Sequence, residues 1–346
     1  MIESFRELSG FYDPLPRLLA ADDFDTGMRG WLDLRPNFVG PDFAAHDQEI
    51  DLEHWGSVML SSATYAFAGT HGSAAGTYSL KLCTRSPAAA PDQPPAAGSM
   101  SLAIKRLSRP VGARLLRVEA LVAYTTEQDR PGLGVDQMRA FGLMIDLQDE
   151  DHRFMPGVRF VNTVGGQRQR RWQFYRQTTA DDQEWSYGRV GWHRAGIDPQ
   201  WFGRRQPDGS TAATDWFAGE PQQPIYNETD DKINWMPLSL TVDLAQRTYR
   251  SFRFGNREYE FPAGAAPSLA PPYANIGNLI NPVFFVETDS DRRVNLYLDS
   301  VLISYATDSD VRSGDHDHAA GGDVLRAADQ PAGTIHRAAD DRDEDR

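Results

Sequence analysis

Asn295-Leu296-Tyr297-Leu298-Asp299-Ser300-Val301-Leu302-Ile303-Ser304, near the C-terminal end, reads as a β-strand. It decides the fold together with two stretches near the start. These are Asp22-Asp23-Phe24-Asp25-Thr26-Gly27-Met28-Arg29-Gly30-Trp31 and Thr70-His71-Gly72-Ser73-Ala74-Ala75-Gly76-Thr77-Tyr78-Ser79-Leu80-Lys81-Leu82. The three read as the last, first and second strands of one large β-sandwich. Between them, apolar and polar residues alternate at the period of a strand. Leu116, Val118, Ala120 and Val122 share one face, as do Phe141, Leu143, Ile145 and Leu147. Met100 to Lys105, Phe154 to Asn162, Gln167 to Gln177, Leu238 to Leu244, Tyr249 to Phe254, Glu258 to Phe261, Val283 to Thr288 and Val294 to Tyr305 continue the series. Polar turns punctuate it at Asp149-Glu150-Asp151-His152 and Phe254-Gly255-Asn256-Arg257. Short strands at regular spacing are the all-β signature.

The chain has 346 residues, 40% of them hydrophobic, enough for one sizeable core. Its formal net charge of -14 argues against nucleic acid, because a duplex binder needs a basic footprint, and against an anionic membrane surface. The single cysteine, Cys83, excludes an internal disulfide and reads as a small buried apolar group. The first residues, Met1 to Leu8, show no basic segment followed by an apolar core, and no apolar run reaches membrane-spanning length, so a cytoplasmic location is expected.

The expected organisation has three parts. Residues 1–19 form a leader packing on the sandwich. Residues 20–305 form an antiparallel jelly-roll β-sandwich, irregular over 32–60. Residues 306–346 form a disordered acidic tail, rich in Asp, Ala, Gly, Arg and His. Residues 180–232 break the strand rhythm. They carry Trp185, Trp192, Trp201 and Trp216, which argues for an ordered insertion over one face of the sandwich.

The three strand segments resemble jelly-roll carbohydrate-binding modules and the wider concanavalin A-like lectin and glucanase group. The resemblance implies sugar recognition. It also implies a structural calcium clamp, for which the matching positions are Asp23 or Asp25, the turn from His71 to Gly76, and Asp299. The same residues can instead cap turns and strand ends by hydrogen bonding. Such a metal would be structural only, and no cofactor is required. Glu49-Ile50-Asp51-Leu52-Glu53 resembles the catalytic strand of retaining β-glucanases, which implies Glu49 as nucleophile and Glu53 as acid/base. Its flanks read as a solvated loop, which is the other reading.

Side-chain parity gives a second candidate. With Trp172, Phe174, Val158 and Phe160 facing the core, Arg159, Arg171, Gln173 and Tyr175 fall on the opposite, open face. Planar donors and an aromatic ring suit a saccharide, with Trp185, Tyr187, Trp192 and Trp201, together with His193, as a roof; the same tryptophans can instead form a satellite core. An ordinary solvated sheet face has the same pattern. Glu287 and Asp146 are the carboxylates on the sheet suited to acid/base work. Three functions follow. The first is a sugar-catabolic, glycoside hydrolase-like enzyme or its recognition subunit, acting on a small saccharide or oligosaccharide. The second is a non-catalytic carbohydrate-binding protein, and the third a homo-oligomerising structural protein using its aromatics as an interface.

Overall fold

The computed structural model describes residues 9–33, 57–62, 73–84, 100–126, 138–164, 167–176, 198–201, 235–261, 264–267, 269–270, 272, 277–288 and 293–312. Residues 1–308 form one compact unit and residues 309–346 a second. Strands in chain order are β1 (Arg17–Asp22), β2 (Trp31–Asp33), β3 (Ser57–Ser62), β4 (Tyr78–Cys83), β5 (Met100–Lys105), β6 (Leu107–Ser108), β7 (Ala113–Thr126), β8 (Met138–Gln148) and β9 (Arg153–Phe154). They continue with β10 (Gly157–Val164), β11 (Gln167–Arg176), β12 (Asp198–Trp201), β13 (Met236–Asp243), β14 (Thr248–Phe254), β15 (Arg257–Tyr259), β16 (Leu269–Ala270), β17 (Leu279–Thr288) and β18 (Val294–Thr307).

Two antiparallel sheets result. Sheet A runs β15-β14-β13-β7-β18-β4-β3, with β1 also on β18. Sheet B runs β12-β11-β10-β8-β17-β5-β2, with β6, β9 and β16 alongside. The fold is therefore an all-β, antiparallel jelly-roll sandwich. Its order follows from pairing each long alternating strand with partners that bury the same parity. Leu116, Val118, Ala120 and Val122 of β7 meet Phe141, Leu143, Ile145 and Leu147 of β8 in one core.

The core is densest in aromatic rings. Trp172 lies 4.7 Å from both Phe252 and Phe254, centroid to centroid, and 5.6 Å from both Phe141 and Phe160. Such edge and tilted contacts add to the burial of area. Tyr249 of β14 crosses between the sheets. Its hydroxyl accepts from the Gly157 N–H at 2.9 Å, and its ring stacks on Phe261 at 4.4 Å. A buried phenol needs such a partner.

Three expectations are corrected at the N-terminal end. Asp22 to Trp31 is not the first strand. β1 precedes it in sheet A, β2 follows it in sheet B, and the stretch between is a turn with positive φ at Phe24, Gly27, Arg29 and Gly30. Tyr78–Cys83 is thus the fourth strand. β3 lies at the end of the stretch expected to be irregular. β2 pairs only through three residues, too few for a period to show, and β3 is a six-residue edge strand with one neighbour.

Trp172→Ala should lower unfolding free energy by about 3–5 kcal/mol, because it empties a large site walled by four rings. Urea denaturation of the purified variant measures this. A loss below about 1 kcal/mol would mean that the core collapses around the gap.

Candidate functional site

The outward face of sheet B collects the residues that parity placed there. Gln173, Arg159, Gly142, Phe285 and Leu102 oppose one another in one row across five strands. Arg171, Val161, Ala140, Glu287 and Met100 form the next. Arg159, Gln173 and Tyr175 therefore do share a face with Arg171, opposite the buried Val158, Phe160, Trp172 and Phe174. The face is not open, however. Arg159, Gln173 and Tyr175 are buried, and only Arg171 is half-buried. The reason lies on the neighbouring strands. Met100, Leu102 and Ile104 of β5, Met144 of β8, and Val283 and Phe285 of β17 make a second apolar cluster there, joined by Met155 and Tyr175.

Polar groups on this face are paired. Arg159 Nε donates to Gln173 Oε1 at 2.8 Å. The fully buried Glu287 lies 3.2 Å from Arg139 NH1. The Tyr175 ring packs against Gly157, where a Cβ would come within 2.9 Å of it, so the glycine makes room for the phenol. Burial pushes the Tyr175 hydroxyl well above its ordinary value. Arg159 pulls it back, while Tyr249 and Glu287 push it further up. Tyr175 thus feels the fields of both Arg159 and Glu287.

The two carboxylates expected to do acid/base work are not brought together. Asp146 stands opposite Asn281, six residues along β17 from Glu287. At strand rise that is about 20 Å, against the roughly 5–9.5 Å that two-carboxylate glycoside hydrolysis needs. Arg153 also holds both Asp146 oxygens, with Nε at 2.7 Å and NH2 at 2.9 Å. Asp146 is a structural ion-pair partner. Arg139 and Arg153 were missing from the sequence reading, although each sits on or beside a strand whose face carries its acid. Glu49, Glu53, Trp185, Trp192 and His193 lie outside the described residues.

Asp25 and Asp299 meet at one turn, as the resemblance implies, but as hydrogen-bond acceptors. Asp299 Oδ2 accepts from Ser73 Oγ and the Ala74 N–H at 2.5 Å, and from the Ala75 N–H at 3.3 Å. Asp25 Oδ1 accepts from the N–H groups of Thr77 at 2.6 Å and Tyr78 at 3.0 Å. Gly76 has φ +117° and any Cβ there would overlap the Asp25 carboxylate. The turn aims N–H donors at these carboxylates, and a calcium ion requires oxygens. The donor set does not fit a cation between Asp25 and Asp299. Asp23, two residues before Asp25, is buried. Among the described residues, Asp149, Asp151 and His152 come close enough to share an ion. Arg247 already occupies that corner, with Nε 2.8 Å from Asp149.

Burial raises the Asp299 carboxyl, and the bonds from Ser73, Ala74, Ala75 and Ser300 only partly offset it. The stability that a raised carboxyl contributes is present below its ordinary value of 3.8 and is lost as pH rises through the folded value. Asp299→Ala should cost about 2 kcal/mol or more, by leaving buried donors unsatisfied. Asp299→Asn should cost less and gain on the parent as pH rises from about 3.8 upward. Melting curves across pH, with and without EDTA, test this. A drop in the parent's melting temperature on adding EDTA would restore a metal role.

Comparison with known proteins gives three findings. No curated protein matches the chain. Among solved structures it is similar to the CBM2 module of the Lactobacillus casei BL23 phage J-1 evolved Dit, at 9% identity and a TM-score of 0.33, covering 86% of this chain and 99% of that one. The alginate lyase vAL-1 from Chlorella virus gives 8% identity and a TM-score of 0.30, covering 72% and 93%. The binding domain of botulinum neurotoxin DC gives 7% and 0.29, covering 76% and 46%, so the chain spans about half of that protein. By sequence, residues 2–307 match the family described as Domain of unknown function (DUF6772), and the chain belongs to that family.

Proposed function

We propose that this chain is a carbohydrate-recognising β-sandwich protein whose saccharide site lies on the outward face of sheet B, around Arg159, Arg171, Gln173, Tyr175 and Glu287. One observation supports the reading. A buried Arg–Gln hydrogen bond, and a fully buried Glu287 paired to the half-buried Arg139, sit on a face otherwise built from Met, Leu, Ile, Val and Phe. Packing alone does not call for them, since apolar residues of the same volume stabilise a sheet face as well or better. Charged groups kept in such surroundings mark functional positions. Their chemistry fits hydroxyl recognition. Guanidinium and amide present coplanar donors, Glu287 offers acceptors, and Tyr175 offers both an aromatic face and a hydroxyl. Recognition is favoured over hydrolysis, because Asp146, the other candidate acid, stands about 20 Å along the sheet from Glu287.

The test is a glycan and small-sugar screen, followed by titration of any hit. Because the groups are buried, the useful variants keep shape: Tyr175→Phe and Glu287→Gln. Each should weaken binding about ten- to a hundredfold with the fold intact by circular dichroism. Full affinity in both variants would remove the site from this face.

A further inference from the structure

The outward face of sheet A carries a cleft of about 400 Å³, distinct from the face of sheet B. Its floor is a polar row. Glu119 of β7 opposes Ser239 of β13, which opposes Arg253 of β14, which opposes Glu258 of β15. Arg117, Thr241 and Ser251 form the row beside it. Asp13, from the segment before β1, also lines the cleft. The Asp13 N–H donates to Glu119 Oε1 at 3.0 Å, Arg117 NH1 donates to the Asp13 carboxylate at 2.7 Å, and Arg253 NH2 donates to the Phe11 carbonyl at 2.6 Å.

Glu119 is the unusual member. It is 1% exposed, and its second oxygen, Oε2, has no hydrogen-bond partner among the described residues. A buried acceptor left unmet costs free energy comparable to a lost hydrogen bond, so its presence in a cleft asks for a donor from outside. The charges around it narrow the class of donor. Arg117 and Arg253 face Glu119 closely enough to act on its ionisation, which disfavours an ammonium. Asp13, Glu119, Glu258 and Glu260 line the same cleft, which disfavours a carboxylate or phosphate. A hydroxyl satisfies both sets, because it donates to a carboxylate and accepts from a guanidinium. The volume lies in the range of small-ligand sites.

We infer that this cleft is a binding site for a small neutral polyhydroxylated ligand of the mono- or disaccharide class, with one hydroxyl donating to Glu119 Oε2 and neighbouring hydroxyls accepting from Arg117 and Arg253. The inference is independent of the site on sheet B. The probes are D-glucose, D-galactose, D-mannose, maltose and cellobiose, with D-glucosamine and D-glucuronate as charged counterparts. Binding to the full chain is read by saturation-transfer NMR and calorimetry.

Glu119→Gln keeps the amide oxygen for Asp13 but turns the free acceptor into a donor. Ser251→Trp fills the cleft from an exposed position. A neutral probe should bind the parent, lose about tenfold or more in Glu119→Gln, and lose binding in Ser251→Trp. The component of binding that Ser251→Trp removes should be unchanged in Tyr175→Phe, which reports on the separate site of sheet B. Unchanged melting temperatures show that the variants fold. The inference is overturned if no neutral probe binds, if a charged counterpart binds more tightly, or if binding survives both cleft variants. Loss in Tyr175→Phe with retention in Ser251→Trp would assign the signal to sheet B and equally overturn it.

Discussion

The hydrogen bonds from the 73–75 turn to the Asp299 carboxylate hold the point where β18 changes partners. β18 is the long central strand of sheet A, and one of its edges serves two partners. Asn295 to Leu298 pair with β4, and Val301 to Tyr305 pair with β1. The exchange happens at Asp299 and Ser300. There the register against β7 slips and Ser300 takes a positive φ of 51°. A bulge of this kind re-aims a side chain. It turns Asp299 onto the segment that enters β4, while Asp25, just beyond β1, grips the same segment two residues later. Two carboxylates thus fix where one partner of β18 stops and the other begins. The cost is a desolvated acid, visible in the raised Asp299 carboxyl and in Tyr12, whose hydroxyl burial and Asp299 together push up.

This junction shows how much of the fold was legible in the sequence. Strands with four or more alternating apolar residues, such as β7, β8, β13 and β18, are visible because each buries one parity in a shared core. The short strands are not. β2 buries Trp31 and leaves Leu32 half exposed, so no period can form in three residues. β12 pairs Asp198 to Trp201 with β11 at the edge of sheet B. Nothing in a four-residue segment separates that pairing from a loop, because partner choice is a tertiary matter.

The candidate face of sheet B was half legible for a related reason. Parity on β10 and β11 alone correctly separates Arg159 and Gln173 from Phe160 and Trp172. It cannot say what the opposite face meets. That information sits on β5 and β17, where Met100-Ser101-Leu102-Ala103-Ile104 and Val283-Phe284-Phe285-Val286 place apolar residues on both parities. A strand apolar on both sides is buried on both sides. Applied across the sheet, that pattern indicates a covered face. The charges on it are then buried charges, which carry more information about function than solvated ones.

Buried acids are consequently used in different ways. On sheet B the acids Asp146 and Glu287 each face an arginine, and the surroundings are apolar. Acids at strand ends are spent on turns, Asp243 at the end of β13 in sheet A and Asp149 just past β8 in sheet B. Burial would raise Asp243, but the N–H of Gln246 and the guanidiniums of Arg250 and Arg114 outweigh it and hold the carboxyl below its ordinary value. Asp149 behaves the same way through Arg247 and the N–H groups of His152 and Asp151. Glu119 departs from both patterns. It lies mid-strand, where no turn needs capping, and burial raises it despite the Asp13 N–H, Arg117 and Arg253. Its Oε1 ties down the Asp13 N–H, but Oε2 has no such task within the described residues. Its place on the floor of a cleft is therefore best explained by what enters the cleft.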